Sequence, residues 1–405
     1  MKNRQQSIVL LSIILVSLGY FVDIYDLLLF TIVKEQSLRD IGVPQNNLLK
    51  EGQFLLQLQM LGTLFGGIFW GIMGDKRGRL WVLFVSIIIY SFATFANGFV
   101  SQIWHYQLLR FLAGVGLAGE LGVGVALICE IMSKKNRGFG TLIVATVGFW
   151  GAIAAYLVNQ EHGWRTSYFI GGALGLGLVI LRVAVMESAM FEETLLSKKV
   201  KMGSFLMLFE DQQKSSKYLK CILIGVPTWF VIGILVNLAP QFTQQFGMKN
   251  APQDAGLAIV FCYAGMSIGN FLCGILSEFL KSRRKALIIF HIFLTLAVLF
   301  YLNSGNMSLP LFYFKIFLMG IGIGFWIVFV SVAAEQFGTN IRATVTVTAT
   351  NFVRAALWIF TWATFSLGSN LLKNAFYVAI ISLLIAIVSA YLLPETYDKS
   401  LDYVD

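Results

Sequence analysis

Apolar residues in this chain run in long unbroken stretches, with the polar residues gathered in short clusters between them. The stretches do not alternate in ten-residue pieces, so they predict helices and not barrel strands. About 20 apolar residues cross the ~30 Å hydrocarbon core of a bilayer. On that measure the pattern predicts twelve membrane spans: 8–33, 52–74, 80–98, 103–132, 138–159, 164–186, 218–242, 253–280, 284–303, 308–335, 340–368 and 372–393. They nearly exhaust the chain and leave no room for a soluble catalytic domain. The first span carries Asp23 and Asp26 and lacks a small-residue cleavage site, so it reads as a retained helix and not a signal peptide.

The pattern also repeats. Arg110, Gly119, Glu130 and Arg137 are echoed in register by Lys315, Gly324, Glu335 and Arg342, 205 residues on. Gly62, Gly66, Gly71 and Asp75 are echoed by Gly265, Gly269, Gly274 and Glu278, at an offset of 203. A charge on an apolar helix is costly in lipid, so paired recurrences point to two related halves, the architecture of a secondary transporter. The expected fold is all-α, with twelve transmembrane helices in two pseudo-symmetric six-helix bundles. The bundles take residues 1–186 and 218–405, joined by a polar cytoplasmic linker at 187–217. Phe205–Phe209 within that linker is apolar enough for a short interfacial helix.

Composition narrows the class. The chain of 405 residues is 57% hydrophobic and only 13% charged, about half the charged share of soluble domains. A net charge of +9 could suggest nucleic acid, but the basic residues gather at alternate span ends, as at Lys76, Arg77 and Arg79 or Lys281, Arg283, Arg284 and Lys285. By the positive-inside rule this places both termini in the cytoplasm, and we expect the inner membrane of a bacterium and no nucleic-acid partner. Four dispersed cysteines and three dispersed histidines give no metal site and no disulfide framework, and no cofactor is expected. The partners expected are the bilayer, a small-molecule substrate and protons, for a monomer.

Gly71-Ile-Met-Gly-Asp75-Lys76-Arg77-Gly78-Arg79 lies between spans two and three. Here the chain resembles the major facilitator superfamily, whose signature in this loop is Gly-x-x-x-Asp-Arg/Lys-x-Gly-Arg-Arg/Lys; Leu80 departs from it at the last place. Ile24-Tyr25-Asp26, Arg110 to Gly114 with Ala118-Gly119-Glu120, and Glu130 with Arg137-Gly138 resemble the metabolite:proton symporter branch. Gln336 to Thr339 and Arg342-Ala343-Thr344 look as much like the sugar porters. The resemblance implies alternating access, with Gly71, Asp75, Lys76, Gly78 and Arg79 forming a cytoplasmic gate. Glu130, Arg137, Glu335 and Arg342 fall at cytoplasmic helix ends and read as further gate residues.

The charges within the spans carry the candidate chemistry. Asp23 and Asp26 share a helix face, at a depth similar to that of Arg110 two turns into span four. A buried charge needs a partner, so either aspartate should pair with Arg110. A carboxylate that gains and loses an arginine as a cavity opens can carry a proton; a permanent structural pair is the plainer alternative. Glu120 lies mid-span and reads either as a second protonation or substrate contact or as a structural hydrogen-bonding group. The surplus of cations at Arg110, Lys315 and Arg354 favours an anionic substrate, since arginine holds carboxylate with two parallel bonds. Arg354, Lys315, Asn351, Tyr25, Glu120 and Trp326 are the candidate substrate contacts. The expected activity is therefore proton-coupled symport of a small polar metabolite such as a carboxylate. The alternative is a proton-coupled exporter of drugs or organic anions on the same fold. An enzyme is not expected, because no nucleophile, metal cluster or acid–base pair is gathered anywhere in the sequence.

Overall fold

Length decides how often this chain can cross a bilayer. In a computed structural model describing residues 2–132, 137–189, 204–252 and 254–399, eleven helical stretches are long and apolar enough to cross. One of them, Gly138–Arg182, has 45 residues. At ~1.5 Å per residue that is about 68 Å, more than twice the hydrocarbon thickness. Gly163 interrupts it with φ 74° and ψ 172°, a left-handed backbone that glycine adopts without strain. The two arms are the fifth and sixth spans, which makes twelve crossings.

The first half comprises α1 (Lys2–Asp40), α2 (Leu48–Lys76), α3 (Arg79–Asn97), α4 (Ile103–Leu117), α5 (Glu120–Ile131) and α6 (Arg137–Ala189). The second comprises α7 (Gln212–Phe230), α8 (Ala239–Gln245), α9 (Gly256–Phe279), α10 (Arg283–Leu302), α11 (Leu309–Ile323), α12 (Trp326–Gln336), α13 (Arg342–Ala355), α14 (Leu357–Ser366) and α15 (Leu371–Leu392). Span four is α4 and α5, broken at Ala118-Gly119; span ten is α11 and α12, broken at Gly324-Phe325; span eleven is α13 and α14. Span seven passes from α7, which contains Pro227, through a π-helical turn at Val231–Val236 into α8. A proline removes one helical hydrogen bond, and a widened turn is a common way to absorb that. The first helix runs to Asp40, seven residues past the expected end of its span, so Lys34 belongs to a helix and not to a loop.

The repeat is visible in the packing. A Cβ at Gly62, Gly66 or Gly114 would strike backbone of the facing helix, so α2 and α4 cross at backbone contact distance. Gly265, Gly269 and Gly320 do the same for α9 and α11. Small residues at such crossings let dispersion and backbone contacts replace the hydrophobic drive that lipid cannot supply. The apolar residues left outside, such as Phe92, Phe99, Phe139 and Phe279, are between 62% and 82% exposed and form a belt that suits lipid.

Residues 190–203 of the expected linker at 187–217 lie outside the described residues. Its far end forms a 3-10 helix at Phe205–Phe209, where Phe205 stacks on Phe352 and Leu206 and Phe209 stay exposed. The face of the bundle that carries Lys76, Arg77 and Arg79 is called here the basic face.

Candidate functional site

Two ion pairs occupy the middle of the bundle, and they differ in what they connect. Arg110 Nη2 lies 3.4 Å from Asp26 Oδ1, a pair within the first half between α4 and α1. Arg354 Nη2 lies 3.4 Å from Asp23 Oδ2, a pair that bridges α13 of the second half to α1 of the first. All four side chains are buried. Charge-assisted bonds at their optimum are ~2.7–2.9 Å, so each contact is long and single. Asp23 Oδ1, Asp26 Oδ2, Arg354 Nε, and Arg110 Nε and Nη1 have no hydrogen-bond partner among the described residues. Such a group can exchange partners at small loss. Asn351 holds Arg354 in place through Oδ1 at 3.3 Å, and its Nδ2 reaches across the seam to Ala118 O at 2.9 Å. Trp326 lies close to Tyr20 across the seam, and both are buried.

Three expected contacts do not join this group. Glu120 gives both carboxylate oxygens to Arg182, whose guanidinium also donates to Leu83 O at 2.6 Å. This bidentate pair ties spans three, four and six of the first half together. It gives Glu120 a partner of its own, separate from the Asp23–Arg354 pair. Lys315 lies beyond the central pairs, with Nζ donating to Phe300 O at 3.0 Å and Ser304 Oγ at 2.6 Å, over the Phe300 ring. Its long stem reaches the last turn of α10, where helix-end carbonyls carry partial negative charge. The repeat explains the difference: Val226 and Trp229 stand where the first half has Asp23 and Asp26, and among the described residues no acid pairs with Lys315. Tyr25 is also buried within the first half, and its hydroxyl donates to Ser167 O at 3.0 Å.

On the basic face the seam is shut by Asp75. Its carboxylate accepts from Ala343 N at 3.1 Å, Thr344 N at 2.8 Å and Thr344 Oγ1 at 2.6 Å. These are the first residues of α13, so an anion sits where unpaired amides and the helix dipole favour one. Gly71 supports the approach, since a Cβ there would lie 3.0 Å from Thr344 Cα. Arg79 lies 3.1 Å from Asp75 and 2.8 Å from Glu130, and Arg342 lies 3.5 Å from Glu130. Gly78 turns the chain with φ 97°, and Lys76 is exposed. The Arg137 side chain lies outside the described residues. Asp75→Ala is expected to raise deuterium exchange at the Ala343 and Thr344 amides about ten- to hundredfold, matching ~1.5–3 kcal/mol for charged hydrogen bonds. Mass spectrometry of peptides covering 340–350 checks this.

The other side of the seam is held differently. Glu278, the repeat of Asp75, turns to Arg283 at 2.8 Å and to the Tyr397 hydroxyl at 3.1 Å. A cleft of about 450 Å³ beside Gly138, Glu278 and Ser331 remains between α6, α9 and α12. Glu335 accepts from Thr396 Oγ1 at 2.7 Å and faces Arg283 at 3.7 Å. On the face opposite the basic one, Lys34 donates to Asn237 Oδ1 at 2.6 Å and Trp358 Nε1 donates to Gln57 O at 2.9 Å. Both bonds join the halves, so the seam is bridged at both ends and the central pairs are occluded.

A strap after α15 was not foreseen. Glu395 accepts from Ser282 Oγ and from the amides of Arg283, Thr396 and Tyr397. Burial tends to raise its pKa, but Ser282 and those amides outweigh it and hold the carboxyl below its ordinary value. A depressed pKa gives stability that is present above the unfolded carboxyl's ~4.3 and lost as pH falls through the lower folded value. The melting temperature of the protein is therefore expected to fall on acidification through that range. Glu395→Gln is expected to remove part of the dependence in a melting series from pH 6 to pH 3.

The chain matches known transporters along nearly all its length. The sequence model of the Major Facilitator Superfamily matches residues 9–362. A protein of Haemophilus influenzae described as a metabolite transport protein is 27% identical, covering 99% of this chain and all of the relative. The cis,cis-muconate transport protein of Acinetobacter baylyi is 29% identical, covering 81% of this chain and 80% of the relative. The solved structure of the proton:xylose symporter XylE superposes with a TM-score of 0.74 over 98% of both chains at 13% identity.

Proposed function

Because the chain belongs to the major facilitator superfamily and is a transporter rather than an enzyme, we propose that it carries a small organic anion together with protons by alternating access. The Asp23–Arg354 pair carries this reading. It joins the two halves at the centre of the bundle, it is buried, and it is made by one long contact. A substrate carboxylate can take Arg354 with two parallel bonds, which a single 3.4 Å contact does not match.

Symport follows from counting charges. With no cargo, Asp23 and Arg354 satisfy each other and the halves can close. An anion alone would take Arg354 and leave Asp23 charged, buried and unpaired. A proton alone would neutralise Asp23 and leave Arg354 unpaired. Stranding either charge costs about 3–5 kcal/mol, which suppresses closure by roughly a hundred- to several-thousandfold. Anion and proton together satisfy both groups, so only the empty and doubly loaded states reorient. Asp26 and Arg110 lie one turn away and form a second pair that can accept the proton.

The basic face is assigned to the cytoplasm on the positive-inside rule, so both termini are cytoplasmic, in a bacterial inner membrane. One pair of bundles encloses the path, and a monomer suffices. Among the relatives, a muconate transporter fits a carboxylate cargo. Uptake into proteoliposomes with an acidic exterior tests the reading, with cis,cis-muconate, benzoate and a neutral sugar as cargoes. Carboxylate accumulation that collapses with a protonophore is expected. Sugar accumulation without carboxylate uptake would overturn the proposal.

A further inference from the structure

A groove of about 640 Å³ opens on the face opposite the basic one, between the start of α2 and the end of α14. It is lined by Lys50, Gln53, Phe54, Gln57, Thr361 and Phe365 among others. Two of these are unusual. Gln53 is 6% exposed and both its amide atoms lack a hydrogen-bond partner; Thr361 is 8% exposed and its hydroxyl lacks one too. A buried amide without a partner costs about 1–3 kcal/mol, and two such groups lining one groove ask for a polar occupant. Phe54 and Phe365 are partly exposed beside them, and Lys50 and Glu51 stand together at the rim, where their charges offset each other. The lining thus offers hydrogen bonds at one end and aromatic surface at the other.

The groove also points at the central pairs. Arg354, Trp358, Thr361 and Phe365 fall at steps of four, three and four residues, so they share one face of span eleven. Thr361 is seven residues from Arg354, about 10 Å along the helix. On α2, Gln53 and Gly67 share a face four turns apart, and a Cβ at Gly67 would meet Asn351 at 2.9 Å. Gln57 of the lining accepts from Trp358 Nε1, which ties the two walls together beside the groove.

We propose that this groove is a second binding site for the transported class, a small carboxylate with an apolar body, which waits there until the Trp358–Gln57 bond beside it opens. The proposal rests on the organic-anion reading above. Gln53 and Thr361 hold the carboxylate end, and Phe54 and Phe365 cover the body. A phospholipid could present the same anionic head and apolar body, so the test separates the two.

Isothermal titration of the full-length purified protein with cis,cis-muconate, and separately with benzoate, should give two sites. The Gln53→Leu/Thr361→Val variant should keep one site, with half-saturation for uptake raised roughly tenfold, as the loss of two hydrogen bonds implies. Gln53→Glu keeps the volume and repels the anion, and should lose the same site if the double variant folds poorly. Arg354→Gln should lose the other site. One wild-type site that disappears in Arg354→Gln and survives in both groove variants would overturn the groove alone. No carboxylate binding by the wild type would overturn both the groove and the organic-anion reading. A phospholipid retained by the wild type in native mass spectrometry, lost from the groove variants and unaccompanied by a second carboxylate site, would also overturn the proposal.

Discussion

Asp23→Asn is expected to leave a protein that exchanges its anion across the membrane but cannot accumulate it. Asparagine keeps the shape and an oxygen near Arg354, but it cannot take up a proton when the substrate arrives. Binding of the anion then no longer depends on proton supply, and the loaded carrier reorients without one. A gradient of one pH unit sustains about tenfold accumulation per coupled proton, since each decade is ~1.4 kcal/mol. The wild type should approach that ratio and Asp23→Asn should fall to about one, with counterflow of labelled anion preserved. Asp26→Asn tests the neighbouring pair in the same assay. Loss of both accumulation and counterflow in that variant would mark the Asp26–Arg110 pair as a holding contact for span one and not a coupling group.

Arg354→Gln carries the second large effect. It removes the cation that both Asp23 and the substrate use. The buried Asp23 carboxylate is left without its 3.4 Å partner, which should cost about 3–5 kcal/mol of stability. Carboxylate binding at the centre should weaken at least about thirtyfold, because truncating one member of a buried charged pair costs 2–5 kcal/mol. The double variant Asp23→Asn/Arg354→Gln separates the two effects. It removes the stranded charge, so the melting temperature should recover while binding stays weak. Equal melting temperatures for the single and double variants would mean that the two side chains do not face each other.

Much of the architecture was legible because a bilayer leaves few options. Run length gave the spans, and the recurrence of Gly62, Gly66 and Asp75 as Gly265, Gly269 and Glu278 gave the halves. The gap between residues 159 and 164 marked the break at Gly163, and the backbone adds that the two spans share one long helix. The depth argument brought Asp26 and Arg110 together, since counting turns along two neighbouring spans suffices for that. The Asp23–Arg354 pair was out of reach of such counting. It crosses the seam, and which face of span eleven meets span one depends on how the halves are rotated against each other.

Other misses left a signal that could have been used. Arg182 stands alone in the apolar run Leu178 to Val185, and a lone cation in a span needs an acid. Glu120 was the acid still unassigned. Lys315 misled because its repeat partner is Arg110, yet Val226 and Trp229 already show that the second half lacks the matching aspartates. Lys34 falls one residue past the expected end of span one because charge ends an apolar run, whereas the helix continues and Asn237, its repeat position at an offset of 203, receives it. Glu395 lies past the last span, where nothing in hydropathy marks a strap.

Proton uptake on substrate binding tests the central claim most directly. The purified protein in weakly buffered solution near pH 7 is mixed with saturating carboxylate, and the pH change is read with an indicator. If anion and proton replace the Asp23–Arg354 pair together, the wild type should take up about one proton per protein molecule, and Asp23→Asn none. No uptake by the wild type, or the same uptake by Asp23→Asn, would contradict the account.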